Sequence, residues 1–178
     1  MKLDHVGLNV ADLDAMSAWY RKSLDLAIEF EFALDHVDFS GAMLRSADGW
    51  RLELLSRPGS VAGLQAADPV EAALTRGFGH VAFDVPDVDA AYDALLAAGA
   101  SDRMSPRPSP EPGVRMAYVA DPEGNLVELL DRTSVGVVSR LGASAPRTST
   151  TEADTVVEVR RPPGLSLETT ATDDGGAR

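Results

Sequence analysis

The chain has no cysteine. Disulfides, thiolate metal sites, iron–sulfur clusters and a cysteine nucleophile are therefore excluded together. Basic residues are scarce as well: 16 Lys and Arg stand against 28 Asp and Glu, a formal charge of −12. Phosphate binding needs a basic face, so nucleic acid is not an expected partner. No apolar run approaches the roughly 18 residues that a membrane span requires. Met1-Lys2-Leu3-Asp4-His5 leads straight into a strand pattern without a signal-peptide core. A cytoplasmic protein acting on a small molecule is the expectation, with no membrane partner. Gly77-Phe78-Gly79 precedes a strand, where a nucleotide loop would open a helix, and no Ser-His-Asp arrangement is visible.

What the chain does contain is a repeat. At an offset of 75 residues, Leu3–Ala15 falls on Phe78–Ala90 with six of thirteen positions identical, among them His5 on His80 and Asp12 on Asp87. Chance would give roughly one match. The same offset lays Asp48–Leu55 on Glu123–Leu130 and so puts Glu53 on Glu128. Each copy thus carries one His early and one Glu late. At 178 residues and 44% hydrophobic, the chain suits one domain or two small modules sharing a core.

Periodicity predicts the same plan in both copies. Residues 3–10 alternate as a strand. Asp12 caps a helix with Leu13, Met16, Trp19, Tyr20 and Leu24 on its apolar side, to about residue 25. Strands at 27–34 and 37–45 join near Asp35-His36, and the Asp48-Gly49 turn leads into a strand over 50–56. The second copy reads as a strand over 79–85 and a helix capped by Asp87 that ends near Gly99. Strands near 101–105, at 114–120 and at 125–131 follow. The expected fold class is α+β, with βαβββ modules at 1–57 and 77–132 and a connector at 58–76 in which 69–76 forms a short helix. Ser105–Gly113 holds four prolines and is expected to be a stiff, unpaired loop, a connector or a cover for the site. From about Thr133 the composition turns to Ser, Thr, Ala, Gly and Pro. Residues 133–178 are expected to be a disordered tail, with Thr155–Arg160 as a short strand. His36 is expected at the surface, and Asp14, Asp25, Asp89 and Asp93 on solvated helix faces.

A lone strand histidine is ordinarily just hydrogen-bonded, and a lone Glu among leucines ordinarily faces water. Four such residues in one register are a different observation. By strand parity His5 shares a face with Gly7 and Asn9, His80 with Ala82 and Asp84, and Glu53 with Arg51 and Leu55. Two copies related by a pseudo-twofold axis can bring two imidazoles and two carboxylates to one point. That N2O2 set suits a six-coordinate divalent ion with room for substrate.

The stretches His5-Val6-Gly7-Leu8-Asn9-Val10-Ala11-Asp12, Gly79-His80-Val81-Ala82-Phe83-Asp84-Val85-Pro86-Asp87 and Asp121-Pro122-Glu123-Gly124-Asn125-Leu126-Val127-Glu128-Leu129 resemble the glyoxalase / bleomycin-resistance / extradiol-dioxygenase group, the vicinal oxygen chelate superfamily. The resemblance covers about residues 2–131. It implies a half-barrel of two βαβββ modules around a metal, with ligands at His5, Glu53, His80 and Glu128. It also implies a homodimer, with the site completed within one chain or across two.

Extradiol dioxygenases and fosfomycin-resistance transferases use a His, His, Glu triad, which His5, His80 and Glu128 match. Glyoxalase I and related isomerases and epimerases add a fourth ligand, which Glu53 matches. The resemblance therefore implies an isomerase, epimerase or lyase acting on a small α-hydroxy carbonyl or acyl-coenzyme A compound through a metal-bound enediolate, with one Mn, Fe, Co, Ni or Zn ion per site. Glu128 is taken as the base and Glu53 as its opposite number. Bacterial glyoxalase I carries an Arg and an Asn for glutathione where this chain has Asn9 and Arg57, so the resemblance does not extend to that pair. Arg51, Asn9 and Tyr118 are candidates for contacting substrate. Arg115 and Tyr118 lie on opposite faces of one strand, so at most one of them lines the pocket. The alternatives are a ring-cleaving Fe(II) dioxygenase and an antibiotic-binding resistance protein. Four intact ligands count against the last, because sequestering members usually lack them.

Overall fold

In each copy, alternating side chains build a sheet, and one amphipathic helix covers one of its faces. The computed structural model describes residues 1–132, so the tail expected at 133–178 and the strand at Thr155–Arg160 lie outside the described residues. The elements are β1 (Val6–Asn9), α1 (Leu13–Leu24), β2 (Ala27–Leu34), β3 (Phe39–Arg45), β4 (Arg51–Ser56), α2 (Pro69–Ala72), β5 (Val81–Asp84), α3 (Val88–Ala97), β6 (Ser101–Pro108), β7 (Arg115–Ala120) and β8 (Leu126–Asp131). Among the described residues the strands form two four-stranded sheets, ordered β1-β4-β3-β2 and β5-β8-β7-β6. In each, the first strand of the module lies parallel to the last and the other neighbours are antiparallel. The two βαβββ modules are present.

The helices begin where the repeat says they should. Asp12 accepts from the Ala15 N–H at 2.9 Å and Asp87 from the Ala90 N–H at 3.0 Å, satisfying donors that a first turn leaves unpaired. Met16 and Tyr20 of α1 pack on Ala42, Leu44, Leu52 and Leu54. Val88, Tyr92 and Leu95 of α3 pack on Ala117, Val119, Val127 and Leu129. Trp19 packs against both cores and donates its indole N–H to the Ala98 carbonyl at 3.0 Å.

Several local readings change. The β1 ladder to β4 begins at Val6, and β5 begins at Val81, so His5 and His80 sit one residue before their strands. Asp25 is the left-handed C-cap of α1 (φ 52°), a conformation that a short polar side chain tolerates. Asp89 is paired with Arg115. The proline-rich segment is half strand: β6 runs to Pro108 as the outer strand of its sheet. There a residue without an N–H is tolerated, and one of the two register shifts against β7 spans Pro106. Residues 35–37 form a single 3-10 turn, and the helix expected over 69–76 is the single turn of α2, capped by Asp68.

The joint between the modules is polar and buried. Asp121, 1% exposed, accepts from the Tyr20 hydroxyl (2.7 Å), the N–H groups of Glu123 (3.0 Å) and Asn125 (2.8 Å), and the Asn125 side chain (2.9 Å). From the same turn, the Glu123 carboxylate takes the N–H groups of Ala11 and Asp12 just ahead of α1. Negative charge is favoured at that end of a helix. Gly124 has φ 94°, and a Cβ there would overlap the Gln65 side chain, which donates to the Glu123 carbonyl. Burial and the Asp121 charge push the Tyr20 phenol far above its ordinary range, so it is a donor at every accessible pH. Replacing Tyr20 by Phe is expected to cost about 1.5–3 kcal/mol in urea unfolding, the range for a hydrogen bond to a charged group. An unchanged midpoint would show that the joint adds no stability.

Candidate functional site

Ladder register decides which side chains share a face. Gly7 stands opposite Glu53, Glu53 opposite Met43, and Met43 opposite Phe30. All four therefore lie on the side of the first sheet away from α1. In the second sheet Ala82, Glu128, Tyr118 and Met104 form the equivalent row. The faces that the helices leave open are the ones that carry the candidate ligands.

On these faces the four residues come together as two pairs. His5 Nε2 lies 3.4 Å from Glu53 Oε2, and His80 Nε2 lies 3.1 Å from Glu128 Oε2. Among the described residues no group of three or more His, Cys, Asp or Glu gathers as a metal set, so the pairs do not merge within the chain. Two ligand atoms bound at right angles to one ion at about 2.1 Å would sit about 3.0 Å apart. Each pair has that spacing and the right donor types. Each supplies two protein donors, where a divalent ion takes four to six. The residues fit half of a coordination shell, twice over.

The surroundings of the pairs differ. His5 Nδ1 meets Asp4 at 2.9 Å, and Asp4 in turn is within 3.4 Å of Arg51. Arg51 also binds Glu29 at 2.7 Å, and Arg45 binds Glu29 at 3.2 Å. The His5 hydrogen bond and the Arg51 charge hold the Asp4 carboxyl below its ordinary range; Arg51 and Arg45 do the same for Glu29. Arg51, expected to meet a substrate anion, thus already faces two carboxylates. Asp4 and Glu29 were not anticipated; Asp4, the neighbour of His5, was the available signal. In the second pair Tyr118 is the added partner. Its ring stands edge-on to His80 with centroids 5.3 Å apart, and it stands directly across the ladder from Glu128. Burial, then the Glu128 hydrogen bond and charge, push its phenol well up. Arg115 points the other way, to Asp89 on α3. Asn9 is exposed at the end of β1, in register with Leu55.

The open face of the first sheet is apolar around its polar pair. Phe30, Phe32 and Phe39 form a tilted ring series with centroids 6.4 and 6.0 Å apart, and Phe30 is 48% exposed. An open crevice of about 420 Å³ runs between β1 and β5, lined by His5, Val6, Phe78, His80, Val81 and Leu126. No helix among the described residues is long and apolar enough to cross a membrane.

Paired βαβββ modules define a class of fold, and the comparisons identify its family. The family model of the Glyoxalase/Bleomycin resistance protein/Dioxygenase superfamily matches residues 2–129. The chain belongs to that superfamily. A probable lactoylglutathione lyase of Vibrio parahaemolyticus is 28% identical over 133 residues, 71% of this chain and 87% of that protein. A second, from Vibrio cholerae, is 24% identical over 137 residues with the same coverage. Among solved structures, a glyoxalase family protein from Bacillus cereus superposes with a TM-score of 0.61 at 23% identity, over 74% of this chain and 93% of that one. Glyoxalase I from Zea mays gives a TM-score of 0.60 at 21% identity, over 74% of this chain and 44% of the maize chain.

Two tests follow from the face itself. A Cβ at Gly41 would lie 2.5 Å from the Phe32 ring, whereas one at Gly7 would meet only Glu53 Oε2, at 3.7 Å. Gly41→Ala is expected to lose about 1–3 kcal/mol by overpacking and Gly7→Ala less than about 1 kcal/mol. Equal losses in denaturant unfolding would contradict this packing. Glu29 has a folded pKa below its unfolded value. Its contribution to stability is therefore present above about pH 4 and lost as pH falls through the lowered value. Carboxyl-carbon NMR should place its midpoint below that of an exposed Glu.

Proposed function

We propose that the protein is a divalent-metal-dependent isomerase, epimerase or lyase of the glyoxalase type, acting on a small α-hydroxy carbonyl or acyl-coenzyme A compound through an enediolate. The observation that carries the reading is the duplicated His–Glu pair, in one ladder register, on the open face of each sheet. The relatives named as lactoylglutathione lyases support the lyase arm.

The proposed arrangement is a homodimer in which His5 and Glu53 of one chain face the partner's His80 and Glu128. Three observations support it. The pairs stay apart within the chain. The open face of the first sheet leaves Phe30 and Leu34 exposed. The first strand of each module is the edge of its sheet among the described residues, with unpaired backbone groups.

His5, Glu53, His80 and Glu128 would hold the ion, which would supply Lewis-acid polarisation of a substrate carbonyl. Asp4, held by Arg51, fixes the orientation of His5. One carboxylate takes the α-proton and becomes a carboxylic acid, while the C–H electron pair moves toward the carbonyl oxygen and leaves an enediolate from an α-hydroxy carbonyl or an enolate from an acyl-coenzyme A ester. Returning that proton to the neighbouring carbon, with the hydroxyl proton passing from its own oxygen to the former carbonyl oxygen, isomerises an α-hydroxy carbonyl; protonation of the same carbon from the opposite face epimerises the substrate. Phe30, Phe32 and Phe39 present an apolar surface beside the reacting centre, which limits access of water.

Elemental mass spectrometry on the intact chain is expected to find about one divalent ion per chain, strongly reduced in Glu53→Ala. Co-expression of Glu53→Gln with Glu128→Gln chains is expected to restore about a quarter of the wild-type metal sites, because half the dimers are mixed and each mixed dimer has one intact site. No restoration would sink the two-chain site. Iron retained without Glu53, with oxygen consumption on a catechol, would replace the isomerase reading with a dioxygenase.

A further inference from the structure

The repeat allows the two pairs to be compared residue by residue. Shifted by 75 positions, Glu128 falls on Glu53, His80 on His5, and Tyr118 on Met43. The sheets keep the same correspondence: Tyr118 stands directly opposite Glu128, and Met43 directly opposite Glu53. Side chains so opposed have Cβ atoms roughly 4.5–5.5 Å apart. A phenol at that place can donate to the carboxylate; a thioether cannot. Tyr118 is 7% exposed and Met43 is 4% exposed, so neither hands its position over to water.

The histidines differ in the opposite sense. His5 has Asp4 on its Nδ1, and the residue at the equivalent place before His80 is Gly79. One pair therefore has a tethered imidazole and a carboxylate whose polar contact among the described residues is His5. The other has a carboxylate flanked by both His80 and Tyr118. A buried phenol directly across the ladder from Glu128 offers that carboxylate a donor, and leaving such a donor without an acceptor is costly. Glu53 strands no such donor.

The geometry points to Tyr118 as a positioning residue that makes the two carboxylates unequal, holding Glu128 in place and leaving Glu53 as the one free to move onto a substrate α-proton. This assignment rests on the metal-dependent reading above and reverses the expectation that Glu128 is the base.

The test is a Co2+ titration of the full chain followed by visible absorption, beside urea unfolding of the metal-free protein. The variants are Tyr118→Phe, Glu128→Gln, Glu53→Gln and the two doubles with Tyr118→Phe. Tyr118→Phe is expected to lower Co2+ affinity by about 10- to 100-fold. That loss should vanish when Glu128 is already Gln and persist when Glu53 is Gln, and Glu128→Gln should cost more affinity than Glu53→Gln. The metal-free unfolding cycle should couple Tyr118 to Glu128 alone. Unchanged affinity in Tyr118→Phe, an equal loss in both Gln backgrounds, or a larger cost for Glu53→Gln would overturn the assignment. A wild-type chain that binds no Co2+ would instead remove the metal reading. The metal-free cycle would then decide the contact, coupling supporting it and additivity overturning it.

Discussion

Asp121 sits in the turn between β7 and β8 with almost no exposure, yet it accepts from the turn's own backbone and from Tyr20 on a helix of the other module. A buried carboxylate is tolerated only when its lone pairs are met, so its partners have little freedom. The same turn sends Glu123 to the residues just ahead of α1. Together with Trp19 and the Trp50–Phe83 ring contact at 5.0 Å, this joint sets how the two sheets stand to each other. It therefore also sets where the open faces, and the residues on them, can point.

The duplicated site illustrates how a repeat can diverge without losing its frame. Both pairs use the same atoms at nearly the same separation, because both arise from the same register between a module's first and last strands. Around that frame the neighbours have changed sides: a carboxylate network steadies the imidazole in one module, and a phenol adjoins the carboxylate in the other. Equal backbone positions with unequal partners are a physical route from a symmetric binder to a site with divided roles.

Much of the fold was legible beforehand. The Asp12 and Asp87 caps, the helix faces and the succession of elements along each copy follow from local rules of capping and periodicity. The proline-rich stretch departs from its expected loop. Pro106 and Pro108 look like loop residues because a proline cannot donate to a ladder, but on an outer strand one side of the ladder needs no donor. Asp25 and Asp89 are exposed, as expected, and in addition one forms a left-handed cap and the other pairs with an arginine of its own module's sheet.

The sequence by itself determined the duplication, the βαβββ plan of each copy and the presence of one His and one Glu in each, because those depend on offset and periodicity. Only the tertiary structure decided that the two pairs remain separate within the chain, that Arg51 is engaged by Asp4 and Glu29, and that Tyr118 rather than Arg115 shares a face with Glu128. Parity states which side of a strand a residue occupies. Which elements then approach that side is set by the packing of α1 and α3 on their sheets, by Trp19 against both cores and by the buried joint at Asp121, and no local pattern in the chain encodes that distance.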